Sequence, residues 1–322
     1  MTDGTISVID PDDLPEFVTH DYGLPRTRAG WRALLEDLDV RPSKGLGQNF
    51  LFERGVVDRI ARLAGVSRDD HILEIGPGLG ILTESLMGHA GEVTVVEYDH
   101  RLARHLRATF GLHEGFRLIE ADALNISTAE LFPDDGPFSV VANLPYNIAS
   151  GVIRHLLDQS RRPERLVLMV QREVAERIVA SPGDLTVLGV ATQFYADARI
   201  LFDVAPTVFV PPPTVTSSVL RLDVKPELPL PEDEIPGFMR IVRAGFGQKR
   251  KQVANSIAAR FGLPKVEVEV WLREAGIDPD RRAQTLTIDE WVAVRRIAPP
   301  LPDLDTSQTC RRARGHAVAV ED

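Results

Sequence analysis

In the stretch E-I-G-P-G-L-G, Gly76, Gly78 and Gly80 fall where an apolar run gives way to a helix-like segment. Glycine there lets the backbone approach a ligand closely, and the helix that follows offers free N–H groups. Two carboxylates extend the pattern. Glu97 closes the next apolar run and Asp122 the one after it. A carboxylate about twenty residues beyond a glycine loop suits the hydroxyls of a ribose, and one on the following strand end can meet an adenine amine. In an open parallel sheet the ligand lies beyond the carboxyl ends of the strands, where all three features fall. The chemistry in view is binding of a nucleoside-bearing cofactor, and a tight structural turn is the plain alternative for the loop taken alone.

The dinucleotide fingerprint needs glycine or alanine at the last position of G-x-G-x-x-G, and here that position is Ile81. The loop instead resembles the G-x-G-x-G of class I S-adenosylmethionine-dependent methyltransferases, whose cofactor has no pyrophosphate to cradle. A nicotinamide enzyme remains the minor alternative. The stretch V-V-A-N-L-P-Y-N-I-A-S, Val140 to Ser150, then gains a chemical reading. Its apolar run ends on an amide, a Leu-Pro pair and a tyrosine. An exocyclic adenine amine is a poor nucleophile because its lone pair is delocalised into the ring. If Asn143 Oδ1 and the Leu144 carbonyl accept its two N–H bonds, the nitrogen is held with its lone pair toward the methyl donor. Pro145 stiffens the tip, and Tyr146 can stack on an extruded base, a contact of ~1–3 kcal/mol. The bland reading is a strand-to-helix turn capped by Asn143 and restricted by Pro145.

The elements that must carry these residues are legible in outline. H-I-L-E-I-G, E-V-T-V-V-E-Y-D, F-R-L-I-E-A-D, F-S-V-V-A-N-L and R-L-V-L-M-V-Q read as strands, separated by amphipathic stretches such as H-R-L-A-R-H-L-R-A-T-F. That alternation implies a parallel sheet covered on both faces. Before it, F-E-R-G-V-V-D-R-I-A-R-L-A-G-V reads as a helix capped by Gly65. After it, A-R-I-L-F-D-V-A-P-T-V-F-V-P-P-P-T-V-T-S-S-V-L-R-L-D-V fits proline-broken strands at a sheet edge. The fold expected is α/β: a Rossmann-like, parallel-centred sheet with helices on both faces, plus a smaller α-helical domain. The divisions expected are an acidic flexible extension over 1–24, the sheet domain over 25–222, a linker over 223–237, the helical domain over 238–300 and a flexible tail over 301–322.

Composition sets bounds. No run approaches the ~20 apolar residues of a membrane helix, and the acidic start shows no secretory leader, so the expectation is a cytoplasmic protein with no membrane partner. The one cysteine, Cys310, excludes an internal disulfide and any cysteine-cluster metal site, and no metal is expected. The net charge of -10 argues against a polyanion partner only as an average. Between Arg240 and Lys265 there are seven cations, including Lys249, Arg250 and Lys251, and no acidic residue. Such a face suits phosphate contacts, although a solvated helix face explains any single lysine equally well.

Taken together, G-L-G-Q-N-F-L, E-I-G-P-G-L-G-I-L-T-E-S-L, V-V-A-N-L-P-Y-N-I-A-S, V-F-V-P-P-P-T-V-T-S-S-V-L-R-L, F-G-Q-K-R-K-Q-V-A-N-S-I and R-A-Q-T-L-T-I-D-E-W resemble the KsgA/RsmA family of ribosomal RNA adenine dimethyltransferases. The resemblance runs from about Pro25 to Ile297. It implies that Asn49, Leu51, Gly76, Glu97, Asp122 and Asn143 contact S-adenosylmethionine. It also implies that Asn143 to Tyr146 act on the target amine and that Tyr146 and Phe209 flank the target base, core packing being the alternative for Phe209. The implied reaction adds two methyl groups to each of two adjacent adenosines near the 3′ end of small-subunit ribosomal RNA, on a small ribosomal subunit precursor, with the helical domain docking on RNA. A monomer is expected, since a bulky substrate must reach the cleft. The rivals are the large-subunit methyltransferase of the macrolide-resistance type and a non-catalytic nucleic-acid-binding assembly factor.

Overall fold

The computed structural model describes residues 21–42, 48–134 and 136–301. Nearly all of the expected acidic extension, all but the first residue of the expected tail, and the Gly45–Leu46–Gly47 part of one quoted motif lie outside the described residues. The described chain divides into two compact units: residues up to Val179 together with Ala191–Glu227, and Ala180–Val190 together with residues from Leu228 onward.

In chain order the elements running through the first unit are α1 (Arg28–Asp37), β1 (Phe50–Leu51), α2 (Arg54–Ala64), β2 (His71–Ile75), α3 (Ile81–Met87), β3 (Glu92–Glu97), α4 (His100–Phe110), β4 (Phe116–Glu120), α5 (Thr128–Leu131), β5 (Ser139–Asn143), α6 (Ala149–Leu157), β6 (Arg165–Gln171), α7 (Arg172–Ile178), α8 (Val187–Tyr195), β7 (Ala196–Val204), β8 (Phe209–Val210) and β9 (Ser217–Val224). Local chemistry explains several boundaries. Thr27 caps α1 by accepting from Gly30 N at 3.1 Å, and Asp99 caps α4 by accepting from Arg101 N at 2.8 Å. Helix α2 stops at Gly65, whose φ of 65° is open to glycine at no steric cost.

The main sheet has seven strands in the order β4-β3-β2-β5-β6-β9-β7, flanked by helices on both sides. The first five pair in parallel, while β9 pairs antiparallel with both β6 and β7. The proline-broken segment therefore does not simply edge the sheet: β7 forms the edge, and β9 slots in between it and β6. From β2 the chain steps outward through β3 to β4, then returns to lay β5 on the other side of β2. The order reverses there, and such a switch point opens a crevice beyond the strand ends. Val140 and Val141 are fully buried at this junction. At ~1.5–3 kcal/mol per buried valine they anchor whatever tip the strand carries.

The second unit contains α9 (Ile235–Gly245), α10 (Val253–Phe261), α11 (Lys265–Glu274) and α12 (Ile288–Ile297). A Cβ on Gly245 would lie 2.4 Å from Trp291, so glycine is what lets α9 approach α12. Thr287 and Glu290 form a reciprocal capping box at the start of α12. Two boundaries differ from the sequence expectation. Strand β9 reaches Val224 and α9 begins at Ile235, which shortens the linker from both ends. The segment Ala180–Val190 joins the helical unit because Gly183 and Gln284 exchange hydrogen bonds: Gly183 N to Gln284 O at 2.8 Å, and Gln284 Nε2 to Gly183 O at 2.9 Å.

Candidate functional site

The glycine loop joins β2 to α3 at the switch point. Gly76, Gly78 and Gly80 have φ of 64°, 59° and 87°, a region that side chains disfavour. Space adds to this at Gly78 and Gly80, while at Gly76 the backbone angle alone decides. A Cβ on Gly76 would meet Pro145 at 3.4 Å, one on Gly78 the Phe50 ring at 3.1 Å, and one on Gly80 the Phe110 ring at 2.7 Å. Three segments remote in sequence thus converge on this loop. The proline of the β5 tip lies against Gly76, the β1 phenylalanine covers Gly78, and α4 backs Gly80.

Two strand-end carboxylates sit beside it. Glu97 is buried at the end of β3, where Oε1 accepts from Tyr98 N at 2.8 Å and Asp99 N at 2.9 Å, and Oε2 accepts from Gly78 N at 3.2 Å. Burial raises its pKa, even though these three backbone donors favour the charged form. The carboxylate therefore ties the glycine loop to the strand end while keeping lone pairs for a ligand. Asp122, just past β4, accepts from Leu124 N at 2.9 Å and Asn125 Nδ2 at 3.1 Å, which folds its turn.

At the end of β5, Asn143 lies alongside Met169 of β6, and the Leu144 N–H extends the pairing to Met169 O at 3.1 Å. Among the described residues nothing is hydrogen-bonded to the Asn143 side-chain amide. The capping reading is thereby set aside, because α6 begins at Ala149 with no side-chain cap. Tyr146 is half-buried, and its hydroxyl shares a 2.5 Å hydrogen bond with Ser217 of β9.

Asn49, Leu51, Gly76, Glu97, Asp122, Asn143, Leu144, Pro145 and Tyr146 all line one cavity of about 300 Å³. Asn49 and Leu51 reach it because β1 pairs with β8, Leu51 opposite Phe209. That pairing also corrects an expectation. Phe209 is 0% exposed within the core cluster and does not line the cavity, so its ring has no face to offer a base. Core packing is the role the structure supports for it. Lys249, Arg250 and Lys251 lie in the second unit, between α9 and α10, all exposed and without an ion-pair partner among the described residues.

Four residues at or beside the cavity escaped the sequence reading. Glu74 on β2 is 1% exposed, lines the cavity and accepts from Thr83 Oγ1 at 2.6 Å. Burial pushes its pKa up to about 8. A carboxylate inside an apolar strand was the available signal. Tyr98 and Leu124 line the cavity at 67% and 36% exposure, an aromatic ring and an aliphatic side chain close in sequence to the two strand-end carboxylates. Their positions, one residue past Glu97 and two past Asp122, were the clue. Ser217, the Tyr146 partner, had no sequence signal. Among the described residues no cluster of metal-ligating side chains occurs, and no helix is long and apolar enough to cross a membrane.

A glycine loop, strand-end carboxylates and an amide-tipped strand at the switch point of this sheet define the class I methyltransferase fold. The chain belongs to the ribosomal RNA adenine dimethylase family, whose profile matches residues 41–298. It is 39% identical over 269 residues to ribosomal RNA small subunit methyltransferase A of Dehalococcoides mccartyi, covering 84% of this chain and 92% of that protein. The namesake protein of Thermobifida fusca is 40% identical over 280 residues, or 85% and 96% of the two chains. Among solved structures, the 23S rRNA methyltransferase ErmE is 28% identical with a TM-score of 0.60, over 77% of this chain and 99% of that one. A dimethyladenosine transferase from Plasmodium falciparum, 23% identical over 76% and 95%, shares the fold with a TM-score of 0.64.

Proposed function

We propose that this protein dimethylates the N6 amines of two adjacent adenosines near the 3′ end of small-subunit ribosomal RNA, on a precursor of the small subunit, in the cytoplasm and as a monomer. The observation that carries the reading is the unpartnered Asn143 amide on a cavity wall whose glycine loop touches the next turn of the same tip, Gly76 against Pro145.

The cavity fits S-adenosylmethionine in its chemistry. Three glycines leave room where a side chain would stand, Glu97 and Asp122 offer acceptors for hydroxyl and amine groups, and Tyr98 and Leu124 offer an aromatic ring and an aliphatic side chain. In this reading Asn49, Leu51, Gly76, Glu97, Asp122 and Asn143 hold the cofactor, which when bound supplies an electrophilic methyl group. Asn143 Oδ1 and the Leu144 carbonyl accept the two N–H bonds of the target amine and direct its lone pair into the cavity. A neutral amide is a weak base, so its contribution is placement and electrostatic stabilisation of charge developing on nitrogen. The amine proton leaves afterwards to water. Pro145, packed on Gly76, keeps the carbonyl from turning away, and the Tyr146 ring stacks on the extruded base for ~1–3 kcal/mol. Lys249, Arg250 and Lys251 meet phosphates and position the RNA without reading its sequence.

The small-subunit substrate is preferred to the large-subunit one because identity is 39–40% to proteins named for the former and 28% to ErmE. The intact set of cavity residues speaks against a purely non-catalytic assembly factor. The test is mass spectrometry of the ribosomal RNA 3′ fragment after immature small subunits are incubated with protein and S-adenosylmethionine. Dimethyladenosine at two adjacent positions is expected. No dimethyladenosine there, with methylation instead of large-subunit RNA incubated in parallel or with none in either, would overturn the proposal.

A further inference from the structure

Ser217 is the first residue of β9 and is fully buried. Because β9 lies between β6 and β7, its backbone is paired on both sides, opposite Gln171 and Val204. The surrounding contacts stiffen it further. Arg172 N donates to Thr216 O at 3.0 Å, Ser218 Oγ donates to Asp203 at 2.7 Å, and Arg172 pairs with Asp203 at 3.3 Å. The Ser217 hydroxyl is therefore a fixed point in the sheet, 2.5 Å from the hydroxyl of Tyr146.

Tyr146 has no such support of its own. It stands in the turn after Pro145 and lines the cavity, so contacts choose among the rotamers its backbone allows. Holding the far end of a tyrosine fixes the direction in which its ring points, and the preference of a phenolic O–H for the ring plane favours one rotation about that axis. We propose that Ser217 is a positioning residue for methyl transfer: its hydroxyl, bonded to Tyr146, sets where the ring stands against which the target base is stacked. The inference rests on the reading that the base stacks on Tyr146. Small errors in the placement of reacting atoms lower the rate steeply, so the bond acts on turnover more than on binding.

The test is steady-state kinetics of the full chain on immature small subunits, with melting temperature and S-adenosylhomocysteine affinity by calorimetry. The variants are Ser217→Ala, Tyr146→Phe, their combination and Tyr146→Ala. Ser217→Ala and Tyr146→Phe are each expected to lower kcat roughly threefold to tenfold, the loss of one net hydrogen bond. The KM for RNA and the affinity for S-adenosylhomocysteine stay near wild type. The double variant is expected to match the worse single one, because both remove the same bond. Wild-type kcat in both single variants, or losses that multiply, would overturn the assignment of Ser217, as would a fall in kcat matched by a fall in cofactor affinity. Tyr146→Ala separates this from the underlying reading. If it retains full kcat, base stacking on Tyr146 fails and Ser217 with it; if it is strongly impaired while the other two variants are normal, only the Ser217 proposal falls.

Discussion

Replacing Glu74 by glutamine removes a carboxyl group that the fold keeps protonated. Burial raises its pKa from 4.5 to about 8, the hydrogen bond from Thr83 works against the rise, and the charge of Glu97 adds to it. In the unfolded chain the group returns to its ordinary value. Between pH 4.5 and 8 the folded protein therefore holds a proton that the unfolded chain has released, so stability falls as pH rises through this window and is level on either side of it. The slope approaches ~1.4 kcal/mol per pH unit, and the whole interval amounts to roughly 5 kcal/mol. Glutamine reproduces the shape of the neutral acid, can accept from Thr83, and does not titrate. Glu97, shifted the same way by burial, is present in both proteins and drops out of their difference to first order. The stability of Glu74→Gln relative to wild type is thus expected to climb steadily from pH 5 to pH 8 and to stop climbing above it. Hydrogen exchange of β2 and β3 amides across urea series at each pH reads this in the sheet unit alone. Parallel curves for the two proteins would mean that the buried carboxyl is already ionised at pH 5, and the reasoning would fail.

Other perturbations separate chemistry, scaffold and docking. Asn143→Ala is expected to lower kcat by ~10²-fold or more while S-adenosylhomocysteine affinity stays within a small factor, measured by single turnover and calorimetry; equal losses in both would contradict its place at the amine. Gly80→Ala sets a Cβ 2.7 Å from the Phe110 ring at a φ of 87° and is expected to destabilise the sheet unit by about 2–4 kcal/mol in urea unfolding. Neutralising Lys249, Arg250 and Lys251 together is expected to reduce the slope of log affinity for RNA against log salt by about 2, at ~0.7 per phosphate contact on single strands. An unchanged slope would remove this loop from the interface.

What could be read from the chain without its fold is local. Gly76, Gly78 and Gly80 stand out because a positive φ admits few other residues, and Gly65 because a left-handed residue ends α2. The tip at Asn143 and Pro145 is legible because an apolar run that stops on an amide and a proline cannot continue as a central strand. These are constraints between neighbours in sequence, so the sequence carries them. Phe209 shows where such reading ends. A phenylalanine beside prolines looks the same whether it stacks on a ligand or fills a core, and the pairing of β8 with β1 decides the matter. Ser217 meets Tyr146 from 71 positions away only because β9 is laid between β6 and β7, and Ala180–Val190 joins the helical unit only through Gly183 and Gln284. The proton on Glu74 belongs to the same class, since desolvation is a property of everything packed around a group. Backbone limits and hydrophobic period were determined residue by residue along the chain; burial, and contact between distant residues, came into being only when the strands took their neighbours.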